Sequence, residues 1–242
     1  MRLRLFAFTL LMVVPLITGQ KRESCPEGTL YSLKATTLGS ADQSSVQLTS
    51  PDGRKTLVMS PDESDPQQSR MRYVVEIAGK TFEATLLGFD GEVEWSPDST
   101  AFAVTETEGG GSLGLRVYVF YVTERGMKKF DVSKPVERDF GNPVKCQVPV
   151  SPNSGFITWT GDSSRLLVAA EVVPICGLCQ CSGTFRVYEI DVRNLTIVRT
   201  YSQAEAKKQY WDVMGCELRQ APEGCVKDLE RHKHQRGRPT GN

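Results

Sequence analysis

The stretch Ser50-Pro51-Asp52-Gly53 has the composition of a tight turn, and two later stretches are variants of it: Ser96-Pro97-Asp98-Ser99 and Thr160-Gly161-Asp162-Ser163. In the first copy Ser starts the turn and Pro fixes the backbone at the first corner. Asp accepts local backbone hydrogen bonds, and Gly takes a left-handed conformation at the exit. Because such a turn reverses a strand, each copy predicts a β-hairpin.

The residues around the three turns extend each hairpin to four strands. Each turn has a short strand before it and a mostly apolar strand after it, which we expect to be buried on both faces. Tyr73, Tyr118 and Tyr188 then mark a third strand, and a turn and an outer strand follow. The predicted strands are 46–48, 56–59, 71–77 and 81–87; 93–95, 102–104, 115–122 and 127–132; and 157–159, 166–168, 185–192 and 195–201.

Four strands in about 40 to 45 residues is the size of one propeller blade. The unit resembles the PD40 (WD40-like) repeats of TolB-type propellers and of the propeller domains of prolyl-oligopeptidase-like peptidases. The resemblance covers about residues 46–201 and rests on the three turns, with Trp95 before the second and Trp159 before the third. It implies an architecture and little about function, because such blades carry many unrelated sites.

The spacing of the units predicts an incomplete ring. The turns start 46 and 64 residues apart, so about eighteen additional residues lie between the second and third units, within 135–156. Closed propellers have four to eight blades, and three are visible here. A strand within 29–38 and the segment 135–156 could supply parts of a fourth.

We therefore predict an all-β fold: a small or incomplete β-propeller-like array of antiparallel four-stranded units with a short C-terminal helix. An exposed edge of such an array has to be capped or paired. The alternative is a β-sandwich whose turns merely look alike.

The two ends of the chain differ from this repeat domain, which we place at 20–201. Residues 1–19 have the basic start, apolar core and small residues of a signal peptide, and the apolar core of about thirteen residues is too short to span a bilayer. Cleavage would leave no integral membrane span and a secreted or periplasmic protein; retention as an anchor is the alternative. Residues 202–230 are predicted to be a helical and disulfide extension, and 231–242 a basic disordered tail.

The chain has seven cysteines, and export makes disulfides the expected state. The candidates are Cys25, Cys146, Cys176, Cys179, Cys181, Cys216 and Cys225. Cys216 and Cys225 bracket a short loop, and we expect them to pair. The cluster Cys176, Cys179 and Cys181 has two alternative interpretations: a metal site, with zinc as its ion, and a redox-active pair.

The remaining composition favours a non-catalytic protein without a cofactor. Lysine plus arginine and aspartate plus glutamate both number 29, so net charge does not favour a nucleic acid partner. No histidine precedes His232, and no sequence motif of a nucleophile, metalloprotease or phosphate loop occurs.

Two functional hypotheses follow, with a third behind them. The first is an exported module that binds a protein or a cell-envelope component through its loops, with oligomerisation through an open sheet edge. The second is a metal-binding or redox protein using the cysteine cluster. The third is a hydrolase with dispersed carboxylates, which predicts a cleft lined by acids of perturbed pKa.

Overall fold

The computed structural model describes residues 29–38, 45–65, 70–88, 91–107, 114–141, 151–160, 163–173 and 183–222. The described residues are mostly β-structure, with three antiparallel sheets and few helices, as the sequence predicts. The strands are β1 (Thr36–Leu38), β2 (Val46–Thr49), β3 (Lys55–Pro61), β4 (Arg70–Ile77), β5 (Lys80–Leu87), β6 (Gly91–Trp95), β7 (Ala101–Thr107), β8 (Leu115–Thr123), β9 (Gly126–Asp131), β10 (Asn153–Trp159), β11 (Arg165–Glu171), β12 (Phe185–Asp191) and β13 (Thr196–Tyr201). The helices are α1 (Ser133–Phe140), α2 (Gln203–Tyr210) and α3 (Cys216–Gln220), with a 3-10 turn at Trp211–Val213.

Each predicted unit forms one sheet, with its strands in chain order. The first sheet is β2-β3-β4-β5, the second is β6-β7-β8-β9 with β1 added beside β6, and the third is β10-β11-β12-β13. The segment 29–38 therefore does not begin a fourth sheet among the described residues. Its strand β1 pairs with β6, Thr36 opposite Val93. Of the other candidate segment, 135–156, residues 135–140 lie in the helix α1 and residues 153–156 in β10 of the third sheet.

The three turns share one hydrogen-bonding pattern, which confirms the repeat. In the first turn the Gly53 amide donates to the Ser50 carbonyl oxygen at 2.9 Å, and in the second the Ser99 amide donates to Ser96 at 2.8 Å. The third turn has the equivalent bond from Ser163 to Thr160 at 2.9 Å. Ser99 and Ser163 adopt the left-handed conformation, with φ of 62° and 60°, where the first turn has Gly53.

A second set of bonds links each turn to the next. The Asp52 amide donates to the Ser99 hydroxyl at 2.9 Å, and the Asp98 amide donates to the Ser163 hydroxyl at 3.1 Å. The serines therefore accept a strained backbone conformation while satisfying a backbone donor of the preceding sheet. Gly53 has open space where a side chain would begin.

Three apolar cores lie along this row of sheets. The first core joins the first and second sheets and contains stacked rings: Phe120 lies 5.9 Å from Tyr73 and 4.9 Å from Phe102 between ring centroids. The second joins the second and third sheets with α1. The third covers the other face of the third sheet with α2, α3 and Tyr31.

The tyrosine marker is not fully regular, and the exception follows from this arrangement. Tyr118 pairs with Val104 and Tyr188 with Val168, at equivalent positions, whereas Tyr73 pairs with Met59, one residue out of step. One residue along a strand reverses the face. Tyr73 consequently points into the one core that the first sheet possesses.

The prediction that the strand after each turn is buried on both faces is right for the second and third sheets and wrong for the first. β7 is buried throughout and β11 is buried beyond its first residue, but in β3 burial alternates, so Leu57 and Met59 are buried while Val58 is partly exposed. The outer face of the first sheet carries polar side chains, including the exposed pair Arg72 and Glu83. This face needs no covering element.

The C-terminal extension covers the opposite end of the row. Ser202 and Glu205 form a capping box at the start of α2. Met214 and Leu218 are fully buried against the third sheet. Trp211 is 44% exposed, because the chain turns into a 3-10 conformation there, and its ring contacts the Arg219 guanidinium.

Candidate functional site

Two regions bring polar side chains together: a surface groove between the first two sheets, and a buried group of glutamates near the second and third sheets. The groove has a volume of about 490 Å³. The β2–β3, β4–β5 and β8–β9 turns line it, because antiparallel pairing places these turns at one end of their sheets. Its lining residues are Asp52, Arg54, Lys55, Ile77, Ala78, Val122, Thr123 and Glu124.

The groove has an apolar floor and a charged rim. Ile77 and Val122 are buried, with 9% and 4% of their surface exposed. On the rim, the Asp52 carboxylate accepts hydrogen bonds from the Ser50 hydroxyl at 2.6 Å, from the Arg54 amide at 3.0 Å and from the Lys55 ammonium at 3.3 Å. These bonds, the Ser50 hydroxyl above all, hold the Asp52 pKa well below its usual range.

The Asp52 carboxylate therefore stays ionised and fixes the turn, while Arg54 directs its charge outward from the same loop. A second depression of about 390 Å³ continues round Arg54 and Ala78 onto the outer side of the first sheet. The two depressions share Arg54, Ile77 and Ala78 and lie side by side at the turn end.

In this group, Glu92 on β6 and Glu171 at the end of β11 are buried, and Glu94 on β6 is partly buried. Burial raises the pKa of each to about 7. Glu92 nevertheless accepts three backbone amide bonds, and Glu171 accepts a bond from the Tyr31 hydroxyl at 2.6 Å. Burial, followed by the charge of Glu171, raises the Tyr31 pKa well above its usual value.

This group is a packed site and not a cleft. Glu92 and Glu171 have 0% and 1% of their surface exposed, and their bonds are made to the protein's own residues 30–32. A hydrolase with dispersed carboxylates would need such acids to line an accessible cleft. Neither of the two depressions described above includes Glu92, Glu94 or Glu171 in its lining.

The sequence analysis did not single out these glutamates, although a signal was present. Glu171 interrupts an apolar run that starts at Leu166 and resumes at Val172 and Val173. A single acid inside a buried strand predicts a specific partner, because burial of an unpaired carboxylate is unfavourable. The identity of that partner, Tyr31, could not be read from the sequence.

The predicted cysteine sites lie almost wholly outside the described residues. Cys25, Cys146, Cys176, Cys179, Cys181 and Cys225 are not described, so the zinc and redox interpretations stay predictions. Cys216 is described: it is disulfide-bonded, and its sulfur accepts a hydrogen bond from the Thr29 hydroxyl at 3.1 Å. Its pairing with Cys225 stays a prediction.

The described part of the chain has neither a metal-binding cluster of side chains nor a membrane-spanning helix. There, no group of three or more histidine, cysteine, aspartate or glutamate side chains could hold a metal ion. In that same part, no helix is both long and apolar enough to cross a membrane. The basic tail 231–242 and the signal-like segment 1–19 are not described.

Comparison with known proteins gives likenesses among solved structures and none among family models or curated sequences. No family model matches the chain, and no curated protein matches its sequence. Among solved structures, the chain is similar to the acylaminoacyl peptidase of Pyrococcus horikoshii, with 12% identity and a TM-score of 0.34. The match covers 71% of this chain and 24% of that one, so this chain spans about a quarter of the peptidase. A likeness at this level does not identify a shared activity.

Proposed function

We propose that this chain is an exported, non-catalytic propeller-like module of PD40 type that binds a protein or a cell-envelope component through its loops. The observation that carries the proposal is the groove at the turn end of the first two sheets. It combines an apolar floor with fixed charges on short turns, which is the composition of a surface that binds a macromolecule. Short turns on a rigid sheet also present such a surface in one conformation.

The state of the buried acids supports binding over catalysis. A general acid or base has to reach a substrate proton, directly or through one water. Glu92 and Glu171 face the chain's own backbone amides and the Tyr31 hydroxyl. In the proposed module these two glutamates stabilise the packing of the N-terminal segment against the sheets.

The test is capture of the partner by cross-linking, with a matched pair of variants. The full chain is expressed with its first 19 residues, cross-linked in intact cells and purified, and its partners are identified by mass spectrometry. Arg54→Glu reverses a charge on the groove rim, and we expect it to reduce partner recovery about tenfold or more. Arg70→Glu makes the same change at the start of β4, at the opposite end of the sheet, and should leave recovery unchanged.

Three outcomes would contradict the proposal. Equal recovery with both variants would remove the groove from the binding surface. A mature protein that does not begin near Gln20 and stays in the cytosol would contradict export. Zinc bound in stoichiometric amount, or free thiols at Cys176, Cys179 and Cys181, would favour the metal or redox hypothesis instead.

A further inference from the structure

Residues 29–38, named here the clasp, lie across the second sheet, the third sheet and the helical extension. The first sheet begins at Val46, and seven residues (39–45) separate it from the clasp, yet the bonds of the clasp are made to the second sheet, the third sheet and the helical extension. Its backbone is bound as a separate peptide would be bound. Four sets of contacts hold it.

The first contact is a carboxylate that accepts consecutive backbone amides. Glu92 Oε1 accepts from the Leu30 amide at 2.6 Å, and Glu92 Oε2 accepts from the Tyr31 and Ser32 amides at 3.0 and 3.2 Å. Hydrogen bonds from amides to a carboxylate are stronger when the carboxylate is ionised. This arrangement recognises the backbone and excludes proline from all three of these positions, because proline has no amide hydrogen to donate.

The second contact is a pocket for one aromatic side chain. The Tyr31 ring lies against Gly155, where a Cβ atom would come within 1.9 Å of the ring. The Tyr31 hydroxyl donates to Glu171 at 2.6 Å, and the residue is 1% exposed. Glycine at position 155 therefore makes the space, and Glu171 selects a ring that carries a hydroxyl.

The third contact joins the clasp to the helical extension. The Gly215 amide donates to the Tyr31 carbonyl oxygen at 2.7 Å, and the Glu217 amide donates to the Leu30 carbonyl oxygen at 3.1 Å. Gly215 has no room for a side chain, because a Cβ atom would lie 2.3 Å from the Leu30 oxygen. The Leu33 amide donates in turn to Val213.

The fourth contact is strand addition. Thr36–Leu38 pairs with the edge of β6 over three residues, from Val93 to Gly91. Main-chain pairing at a sheet edge gives affinity, and an adjacent side-chain pocket gives specificity, which is how extended peptides are recognised.

We infer that the cleft formed by β6, β10, the end of β11 and residues 213–217 is a peptide-binding site, which the chain fills with its own residues 29–38. Its ligand class is an extended segment that carries a tyrosine, donates successive backbone amides to Glu92 and continues as a strand along β6. The clasp is thus an internal ligand, and a segment of the same chemistry can replace it when it is weakened.

The experiment measures binding of a labelled peptide of residues 29–38 to the full chain. In the native protein the clasp competes from within the same molecule, at an effective concentration of the order of millimolar, so we expect no uptake. Two altered proteins lower that competition: Tyr31→Ala in the full chain, and a chain cut at a protease site placed within 39–44. We expect both to bind the peptide, measured by fluorescence anisotropy.

Peptide and protein variants identify the site. A Tyr31→Phe peptide should bind roughly tenfold or more weakly, because it leaves Glu171 without its donor. Glu171→Gln in the Tyr31→Ala chain should remove most of the difference between the two peptides. Tyr210→Phe is the matched control, since it removes a tyrosine hydroxyl bond, to Tyr201, outside the cleft and should leave uptake unchanged.

The outcomes separate clearly. Uptake by either altered protein that depends on the peptide tyrosine and on Glu171 supports the inference. The inference is overturned if neither altered protein binds the peptide, or if the wild-type and phenylalanine peptides bind equally well. Since the cleft is separate from the turn-end groove, neither result changes the partner-capture experiment with Arg54→Glu.

Discussion

The first and third sheets are built from the same hairpin unit, yet they meet water differently. The first sheet buries one face against the second sheet and presents the other to solvent. The third sheet buries both faces, one against the second sheet and one against α2, α3 and Tyr31. The side chains of β4 accordingly alternate in burial, whereas β11 is buried almost throughout.

Among the described residues, this difference shows two ways in which the outermost sheets of a row can meet their surroundings. At one end the sheet carries polar side chains on its outer face and needs nothing to cover it. At the other end the strands are apolar on both sides, so the chain supplies helices and the clasp as a cover. The comparison predicts a different response to mutation at each end.

The largest difference is expected for one leucine on each sheet. Leu167→Ala removes a fully buried side chain beneath the helical cover, and we expect a loss of about 2–5 kcal/mol of unfolding free energy. Leu87→Ala, on a side chain of the first sheet that is 53% exposed, should change it by less than about 0.5 kcal/mol. Urea denaturation measures both, and equal effects would contradict the assignment of covered and open faces.

The second difference concerns pH. Glu171 and Glu92 near the third sheet have a pKa raised by burial to about 7, against an ordinary value of 4.5. The folded state then binds more protons than the unfolded chain, so stability falls as pH rises from about 4.5 to about 7 and levels off above that.

Each unit of pKa difference corresponds to about 1.4 kcal/mol, and we expect a total loss of a few kcal/mol between pH 5 and 7.5. Glu171→Gln should flatten part of this slope. The aspartates of the first sheet, Asp52 and Asp62, have a pKa lowered by serine hydroxyl bonds. They contribute the opposite slope, below pH 4. Stability that rises from pH 5 to 7.5 would contradict the burial of the glutamates.

The third prediction concerns the bonds between turns. Ser99→Ala removes the acceptor for the Asp52 amide and keeps the left-handed backbone, at a cost of about 1–2 kcal/mol. Ser99→Gly removes the same acceptor but relieves the backbone strain, so it should be the less destabilising of the two. Thermal and urea unfolding measure the stability of both variants. If the Ser99→Ala variant were more stable than the Ser99→Gly variant, the backbone strain at position 99 would be absent.

The smallest effect is expected on the open face. Arg72 and Glu83 form an exposed ion pair across β4 and β5, and such pairs contribute little. Arg72→Gln should leave the urea midpoint unchanged within the error of the measurement. A clear loss would indicate that this face is covered, for instance by a second copy of the chain.

The sequence was sufficient for the hairpin units and not for their environment. The residues that determine each turn lie within four positions of one another. The reversal of the chain and the four strands of each unit could therefore be predicted from local sequence. Which faces are covered depends on contacts between units. The alternation of polar and apolar side chains in 70–77 (Arg-Met-Arg-Tyr-Val-Val-Glu-Ile) indicates a half-exposed strand. Treating the tyrosine as a repeat marker nevertheless placed Tyr73 at the position equivalent to Tyr118 and Tyr188, which is wrong by one residue.

The partners of the buried glutamates could not be predicted from the sequence for a related reason. Tyr31 and Glu171 are 140 positions apart, and Tyr31 and Glu92 are 61 apart. Nothing local in the sequence pairs them, and only the placement of the N-terminal segment between two sheets and a helix does so. The candidate groove was likewise invisible in the sequence, because it forms where turns of two different units meet.

Gly53 has a consequence for how such molecules could be lengthened. Ser99 and Ser163 each offer an oxygen to the neighbour on one side, and position 53 offers only hydrogen atoms. To add a further four-stranded sheet before Val46, an engineer would have to replace Gly53 by a residue with a hydroxyl group. Thr56, Arg72 and Glu76 would also have to become apolar, because the added sheet would cover the face on which they lie. The residue at this turn position therefore distinguishes the first described sheet from the two that follow it.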